Sequence, residues 1–235
     1  MAANERVFLY LLGKTGTGKS STGNTLLEKK AFNAKSSLSS VTKTIQEEDG
    51  TMGGRQITVV DGPGLVGVNT GVSVEAIKEF KRIIDDNRDS KHVFLIICRY
   101  GERFTEEDEE MVKRLKVDLG VQDALGKHSI VVLTCGDNFE RDTEDTDLTF
   151  KQWCLQQGGA FKVLREDCKD RILMVDNSKK PGYQSGSFYS DLDIEIRKLD
   201  HGQALKCQIS SEARRDEDEC FIFPLFRSFR SCFCR

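Results

Sequence analysis

Residues Gly13-Lys14-Thr15-Gly16-Thr17-Gly18-Lys19-Ser20 spell G-x-x-x-x-G-K-[ST], a spacing in which glycines let successive backbone N–H groups turn inward around phosphate oxygens. Lys19 supplies a cation that reaches terminal phosphates, and Ser20 a hydroxyl able to ligate Mg²⁺. The apolar run Val7–Leu12 stands before the pattern and the helix-compatible stretch Ser21–Lys29 after it, so a strand feeds the loop and a helix N-terminus adds its positive dipole end. Gly13 through Ser21 are the expected phosphate contacts. The ligand these residues call for is a nucleoside triphosphate.

Two later segments bear on which nucleotide. Gln56-Ile57-Thr58-Val59-Val60 reads as a buried strand ending in Asp61-Gly62-Pro63-Gly64, where the Asp61 carboxylate can hold the water shell of Mg²⁺ and the Gly64 N–H can bond a γ-phosphate. The plainer reading is a Gly-Pro-Gly turn with a solvated carboxylate. Ser129–Leu133 is another buried strand, followed by Thr134-Cys135-Gly136-Asp137. Asp137 can accept two N–H bonds from guanine, which adenine does not offer. Thr134 and Cys135 stand where GTPases usually carry Asn and Lys, so Asp137 by itself reads equally well as a helix cap. A sixth strand, Ile172–Val175, leads to Asp176 and Asn177, and the Asn177 amide is expected at the guanine edge.

The stretch from Cys98 through Arg103, Phe104 and Thr105 to Asp108 resembles the box shared by the GTPases of immunity-associated proteins, a family related to septins and to chloroplast-import GTPases. Other landmarks carry the same resemblance: Gly13 through Asn24, Ser40–Thr44, Asp61–Leu65, Thr134–Asp137 and the Asp-Asn pair at 176–177. It covers about residues 5–200. The resemblance implies GTP and GDP as ligands with Mg²⁺, and Thr-x-x-Asp is common there in place of Asn-Lys-x-Asp. It also implies pairing of two copies through their nucleotide faces. Two positions depart from the family pattern, Gly62 where Thr is usual and Asp176 where a second Asn is usual.

Strand patterns at 7–12, 45–50, 56–61, 92–98, 129–134 and 172–176 alternate with helical patterns at 20–30, 73–86, 105–119 and 146–157. The expected fold is therefore an α/β, P-loop NTPase architecture: a three-layer, doubly wound, mostly parallel six-stranded sheet with a C-terminal helical extension. The best-marked helix begins with a capping box of Thr105 and Asp108 and carries Met111, Val112, Leu115 and Leu119 on one stripe. A closing helix is expected over Ser187–Leu205. The GTP-binding domain then spans 5–205, with a charged linker and a Cys-, Phe- and Arg-rich tail at 206–235. At 235 residues the chain holds one sizeable core, not two.

A net charge of −3 makes no case for nucleic-acid binding, which calls for a basic face. Eight cysteines in a chain expected in the cytoplasm argue against a disulfide framework, and Cys98, Cys135 and Cys154 suit small buried positions. The histidines, His92, His128 and His201, are isolated and expected at the surface or at strand ends. The tail, with five phenylalanines and three cysteines after Glu219, is too short and broken to span a bilayer. It suits either a peripheral contact on an intracellular membrane, with Cys232 and Cys234 open to acylation, or a partner-bound end.

Lys19, Ser20, Asp61 and Thr42 complete a clamp for Mg²⁺ and triphosphate, Thr42 being the switch candidate ahead of the second strand and Thr44 its alternative. The water-orienting glutamine that small GTPases carry after Asp-x-x-Gly is replaced by Leu65 and Val66. Binding with slow hydrolysis follows. Arg103, in the loop after the fourth strand, is expected to serve as a catalytic arginine across a nucleotide-dependent dimer, the bland alternative being a surface pair with Glu106 or Glu107. Two further readings stay open: a nucleotide-gated scaffold with little hydrolysis, and a P-loop kinase.

Overall fold

Six consecutive apolar or aromatic residues make Val7–Leu12 (β1) a strand that must be covered on both faces, and all six are buried. A computed structural model of the chain describes residues 6–34, 44–62, 74–106, 108, 109, 112, 113, 127–179 and 186–199. After β1 the described chain runs through α1 (Lys19–Leu26), β2 (Gln46–Met52), β3 (Arg55–Asp61), α2 (Val74–Asp86), β4 (Lys91–Arg99) and β5 (Ser129–Thr134). It continues through α3 (Gly136–Asp142), α4 (Phe150–Gln156), α5 (Gly159–Asp167), β6 (Ile172–Met174) and α6 (Gly186–Lys198).

The sheet has the order β2-β3-β1-β4-β5-β6. Only β2 is antiparallel, folding onto β3 through Gly53-Gly54, both at positive φ, as a two-residue turn matching strand twist requires. From β1 the chain steps one way to β3 and then reverses to β4, so the C-terminal end of β1 is a topological switch point, where such sheets leave a crevice.

Because successive side chains of a strand point to opposite faces, β1 splits its residues between two cores. Phe8, Tyr10 and Leu12 join Ile77, Phe80, Ile83 and Ile84 of α2 and Phe161 and Leu164 of α5. Val7, Leu9 and Leu11 join Leu26 of α1 and Phe188, Leu192 and Ile196 of α6. Three layers result, as expected. The closing helix α6 is tied by charge as well as by burial: Lys91 Nζ donates to the carbonyls of Ile196 (2.6 Å) and Leu199 (2.9 Å), a cation at a helix C-terminus, and Arg55 pairs with Asp193 at 2.9 Å.

All six strands lie where the patterning puts them, while several helix bounds differ. The first helix ends at Leu26 instead of 30, since Glu28 turns into the left-handed region with φ 51°. The pattern at 146–157 starts only at Phe150, where Thr149 and Gln152 form a reciprocal capping box. Helices α3 and α5 were not expected. The Thr105–Asp108 cap is present, the Asp108 carboxylate accepting from the Thr105 N–H (2.8 Å) and Oγ1 (2.9 Å). Met111, Leu115 and Leu119, residues 200–205 of the expected closing helix, His201 and the tail lie outside the described residues. Cys98, Cys154 and Cys168 are buried free thiols, and burial pushes the Cys154 thiol up to about 12. Cys135 is only half-buried. Among the described residues no helix is long and apolar enough to cross a membrane.

His92 and His128 sit at strand starts, one of the two placements expected, and are only 2% and 6% exposed. The reason for His92 is a buried relay. Its Nε2 faces the Asn87 carbonyl at 3.0 Å, which can only accept, so Nε2 carries the proton and Nδ1 accepts the Tyr10 hydroxyl at 2.9 Å. Burial holds the imidazole below its ordinary value of 6.5, so the unfolded chain binds the proton more readily. Stability from the neutral ring is therefore complete above pH 6.5 and is lost as pH falls below it. The expected outcome is a drop in melting temperature between pH 7.5 and 5.5 that shrinks in a Tyr10→Phe/His92→Phe double variant; equal drops in both proteins would place the pH dependence elsewhere.

Candidate functional site

At the switch point the phosphate loop turns directly out of β1. Gly13 has φ 149°, and a Cβ there would lie 2.4 Å from the Ile97 carbonyl oxygen of β4, so the loop leaves the sheet through a gap only glycine fits. Gly18, left-handed at φ 99°, is the residue before α1. Between them Thr17 is buried, and Thr15 and Gly16 are exposed at the lip.

Three of the loop's carbonyls, those of Lys14, Gly16 and Thr17, are met by side-chain donors. Lys19 Nζ donates to the Lys14 carbonyl at 2.8 Å, as does Thr17 Oγ1 at 3.0 Å. Thr134 Oγ1 donates to the Thr17 carbonyl at 2.8 Å. Arg99 Nη1 stands 3.5 Å from the Gly16 carbonyl. Lys19 is 7% exposed, and burial lowers its pKa to about 8 although the Asp61 charge acts in the opposite sense. Ser21 follows on the half-buried first turn of α1.

Ser20 and Asp61 come from α1 and the tip of β3, and the structure brings them together. Ser20 Oγ donates to Asp61 Oδ2 at 2.6 Å, and Asp61 is fully buried. A hydroxyl beside a buried carboxylate is a hard-oxygen pair of the kind Mg²⁺ accepts alongside phosphate and water. Among the described residues no cluster of three or more His, Cys, Asp or Glu side chains could hold a metal without such help. Thr42 and Gly64, the other expected contacts to metal and γ-phosphate, lie outside the described residues.

One wall of the crevice was not legible beforehand. Lys14 Nζ meets Asp108 Oδ1 at 2.6 Å, with the Asp108 side chain 4% exposed. Asp108 thus caps the helix that opens at Glu106 with one oxygen and holds the phosphate loop with the other. Gly13, Lys14, Arg99, Arg103, Phe104 and Asp108 share one cleft. Arg103 is exposed there and, among the described residues, forms no ion pair, Glu106 included.

On the base side, Thr134 is 3% exposed and its hydroxyl is spent on the phosphate loop, so it supports the cradle from beneath. Cys135 is left-handed at φ 63° and starts α3, whose first turn presents Asp137 to solvent. The Asn177 amide accepts from Thr25 Oγ1 (2.8 Å) and donates to Thr22 Oγ1 (2.9 Å). It pins the β6 loop to α1, and the amide keeps a second N–H and a second lone pair beyond those two bonds. Both departures from the family pattern have local causes. A Cβ at Gly62 would come within 3.0 Å of Phe80 Cζ, and Asp176 closes its own turn by accepting from the Ser178 N–H and Oγ.

The double role of Asp108 generates a graded expectation. Asp108→Asn keeps an acceptor for Thr105 but loses the Lys14 pair; Asp108→Ala loses both and strands a partly buried ammonium. Denaturant unfolding should show Asn costing about 1–2 kcal/mol and Ala about 2–4 kcal/mol; an Asn variant as stable as the wild type would mean that the ion pair contributes nothing, and equal losses in the two variants that the cap adds nothing.

A family model described as the AIG1 family matches residues 7–220. Immune-associated nucleotide-binding protein 7 of Arabidopsis thaliana is 36% identical over 202 residues, covering 83% of this chain and 62% of that protein. GTPase IMAP family member 8 of Mus musculus is 34% identical over 137 residues, covering 57% of this chain and 19% of that protein. The chain spans less than two thirds of the length of either relative. Among solved structures, Toc33 from Arabidopsis thaliana in complex with GDP and Mg²⁺ superposes with a TM-score of 0.53 at 20% identity over 83% of each chain. A structure concerned with dimerisation in the GTPase activity of the chloroplast translocon components atToc33 and psToc159 gives 0.57 at 20% identity over 85% of each. At these identities the superpositions show a shared fold, that of P-loop GTPases. Matched over nearly its whole described length and carrying this fold, the chain belongs to the AIG1 family.

Proposed function

We propose that the chain binds GTP and GDP with Mg²⁺, changes its self-association with the nucleotide, and hydrolyses GTP slowly until a second copy completes the site. The observation that carries this reading is the convergence, at the sheet's switch point, of the glycine-turned loop, the buried Lys19 and the 2.6 Å Ser20–Asp61 pair. Ser20 and Asp61 would hold Mg²⁺, with Thr42 joining them. When bound, the ion neutralises charge on the terminal phosphates. Lys19 adds a cation from a dry position, where it acts more strongly than in water. Gly64 would donate its N–H to the γ-phosphate, and Asp137 would read guanine from the exposed first turn of α3.

Family membership and the GDP and Mg²⁺ complex of a protein of the same fold support the choice of ligand. Self-association draws support from the Toc33 structure in which dimerisation is important for GTPase activity. Arg103 is the residue for the second copy to supply: exposed, in the cleft that holds Gly13 and Lys14, and just ahead of a helix fixed by the Asp108 cap. It would reach the partner's γ-phosphate and fill the role for which this chain lacks a glutamine. A membrane contact through the Phe- and Cys-rich tail is a separate part of the proposal, tested by whether removing residues 220–235 releases the protein from membranes in cell fractionation.

Asp137→Asn should shift nucleotide preference from GTP towards xanthosine triphosphate, since an amide donates where xanthine has a carbonyl and loses an acceptor guanine needs. Competition binding measures this, and equal competition by ATP and GTP in the unaltered protein would remove the base assignment. For the wild type, turnover per molecule should rise with protein concentration, and light scattering should detect a dimer with a GTP analogue. Arg103→Ala should keep GTP affinity and lose that rise, by up to roughly 10³-fold; undiminished turnover at high concentration would assign Arg103 to structure instead.

A further inference from the structure

A second cavity lies at the other end of the sheet. Parallel strands direct their C-terminal ends to the phosphate loop, so the turn that enters β6, Lys169 to Arg171, is at the opposite edge. This turn, α4, the end of α5 and the end of α6 enclose a cavity of about 430 Å³, within the range of small-molecule sites. Five basic side chains line it, Lys151, Arg165, Lys169, Arg171 and Lys198, against two acidic ones, in a chain whose net charge is −3.

Arg165 makes this more than a charged surface. Its side chain is 8% exposed, with Nη1 3.0 Å from the Asp170 carboxylate, and its Nε is buried with no hydrogen-bond partner among the described residues. A guanidinium held this far from water bonds an anionic acceptor more strongly than an exposed one does. Asp170 is occupied by Arg165, and Glu195 by Lys198 at 2.7 Å, while Lys151 and Lys169 form no ion pair among the described residues. Lys169 and Asp170 are both left-handed (φ 53° and 56°), an uncommon conformation for two successive non-glycine residues, and this bend carries Lys169 into the cavity wall. The remaining wall is apolar, from Phe150 of α4 to Ile172 of β6.

We propose that this cavity binds a phosphate monoester, its anionic head held by Arg165, Lys151 and Lys169 and its apolar body against Phe150 and Ile172. The site is independent of the nucleotide crevice. A charged head in a basic, partly enclosed pocket gains charge-assisted bonds, and the apolar wall adds affinity that a bare anion cannot use.

The test titrates the full chain, with and without GDP and Mg²⁺, with phenyl phosphate, inorganic phosphate and phenol, following amide resonances of residues 169–172 and 198 against those of 13–20. Phenyl phosphate should saturate the first group with a dissociation constant under about 1 mM, inorganic phosphate should bind more weakly, and phenol should not bind. Lys151→Glu and Lys169→Glu, both at exposed positions and distant from the phosphate loop, should each weaken phenyl phosphate roughly tenfold while leaving resonances 13–20 unchanged. Sedimentation with phosphatidylcholine vesicles, with and without phosphatidic acid, separates the sources of the monoester: lipid-dependent sedimentation lost in the same variants assigns a lipid head group, and its absence alongside phenyl phosphate binding assigns a soluble ligand. Shifts confined to residues 13–20, no saturation at millimolar phenyl phosphate, or charge-reversed variants that bind as the wild type does would overturn the proposal.

Discussion

A loop that leaves a sheet gives up the ladder that satisfied its carbonyls, and each buried carbonyl needs a donor. Every other feature of the nucleotide crevice depends on how this chain meets that demand. The donors come from the loop and from beyond it: Thr17 and Lys19 to the Lys14 carbonyl, and Thr134 from the end of β5 to the Thr17 carbonyl. The second is the more telling. Asparagine is the usual residue at that position in GTPases; here a threonine hydroxyl stands there, aimed by the buried strand beneath it. The cradle's shape is thereby referred to the sheet and does not rest on loop stiffness alone.

Strand register then decides which chemistry can meet. Leu11 of β1 lies beside Asp61 of β3, and Leu12 beside Ile96 of β4. The carboxylate at the tip of β3 is therefore level with the point where β1 becomes the phosphate loop, one turn from Ser20. A slip of one residue would send Asp61 to the opposite face of the sheet, and the alternation of Val59, Val60 and Asp61 between two filled cores forbids that slip. Packing, not attraction between the two side chains, brings Ser20 and Asp61 to 2.6 Å.

The parts of this arrangement readable in advance were those carried by short-range pattern. The glycine spacing of the loop, the apolar strands and the Thr105–Asp108 cap each depend on residues a few positions apart. What escaped depends on contacts across the fold. Asp108 was visible as a cap, but its second oxygen pairs with Lys14, far away in the chain, and no local pattern announces that. Asn177 looked free to meet a base because its neighbours Thr22 and Thr25 lie on another element. Helix α3 begins from a left-handed Cys135 and buries only Gly136 and Phe139, too little periodicity to detect; α5 opens on Gly159 at positive φ, which reads as a loop. His92 appeared isolated because Tyr10, its partner, is eighty-two positions earlier.

The departure at Gly62 shows how such long-range packing reaches the site. With no Cβ at this position, the Phe80 ring presses directly on the chain as it leaves Asp61. Phe80 is 1% exposed and stands edge-on to Tyr10 at 5.8 Å, and Tyr10 in turn bonds His92. Close-packed interiors transmit displacement because they lack room to absorb it. A side chain at position 62 would need the Phe80 ring to give by a few tenths of an ångström, against a core with little room for it. One of the two residues that depart from the family pattern thus stands between the Asp61 carboxylate and the aromatic centre of the fold.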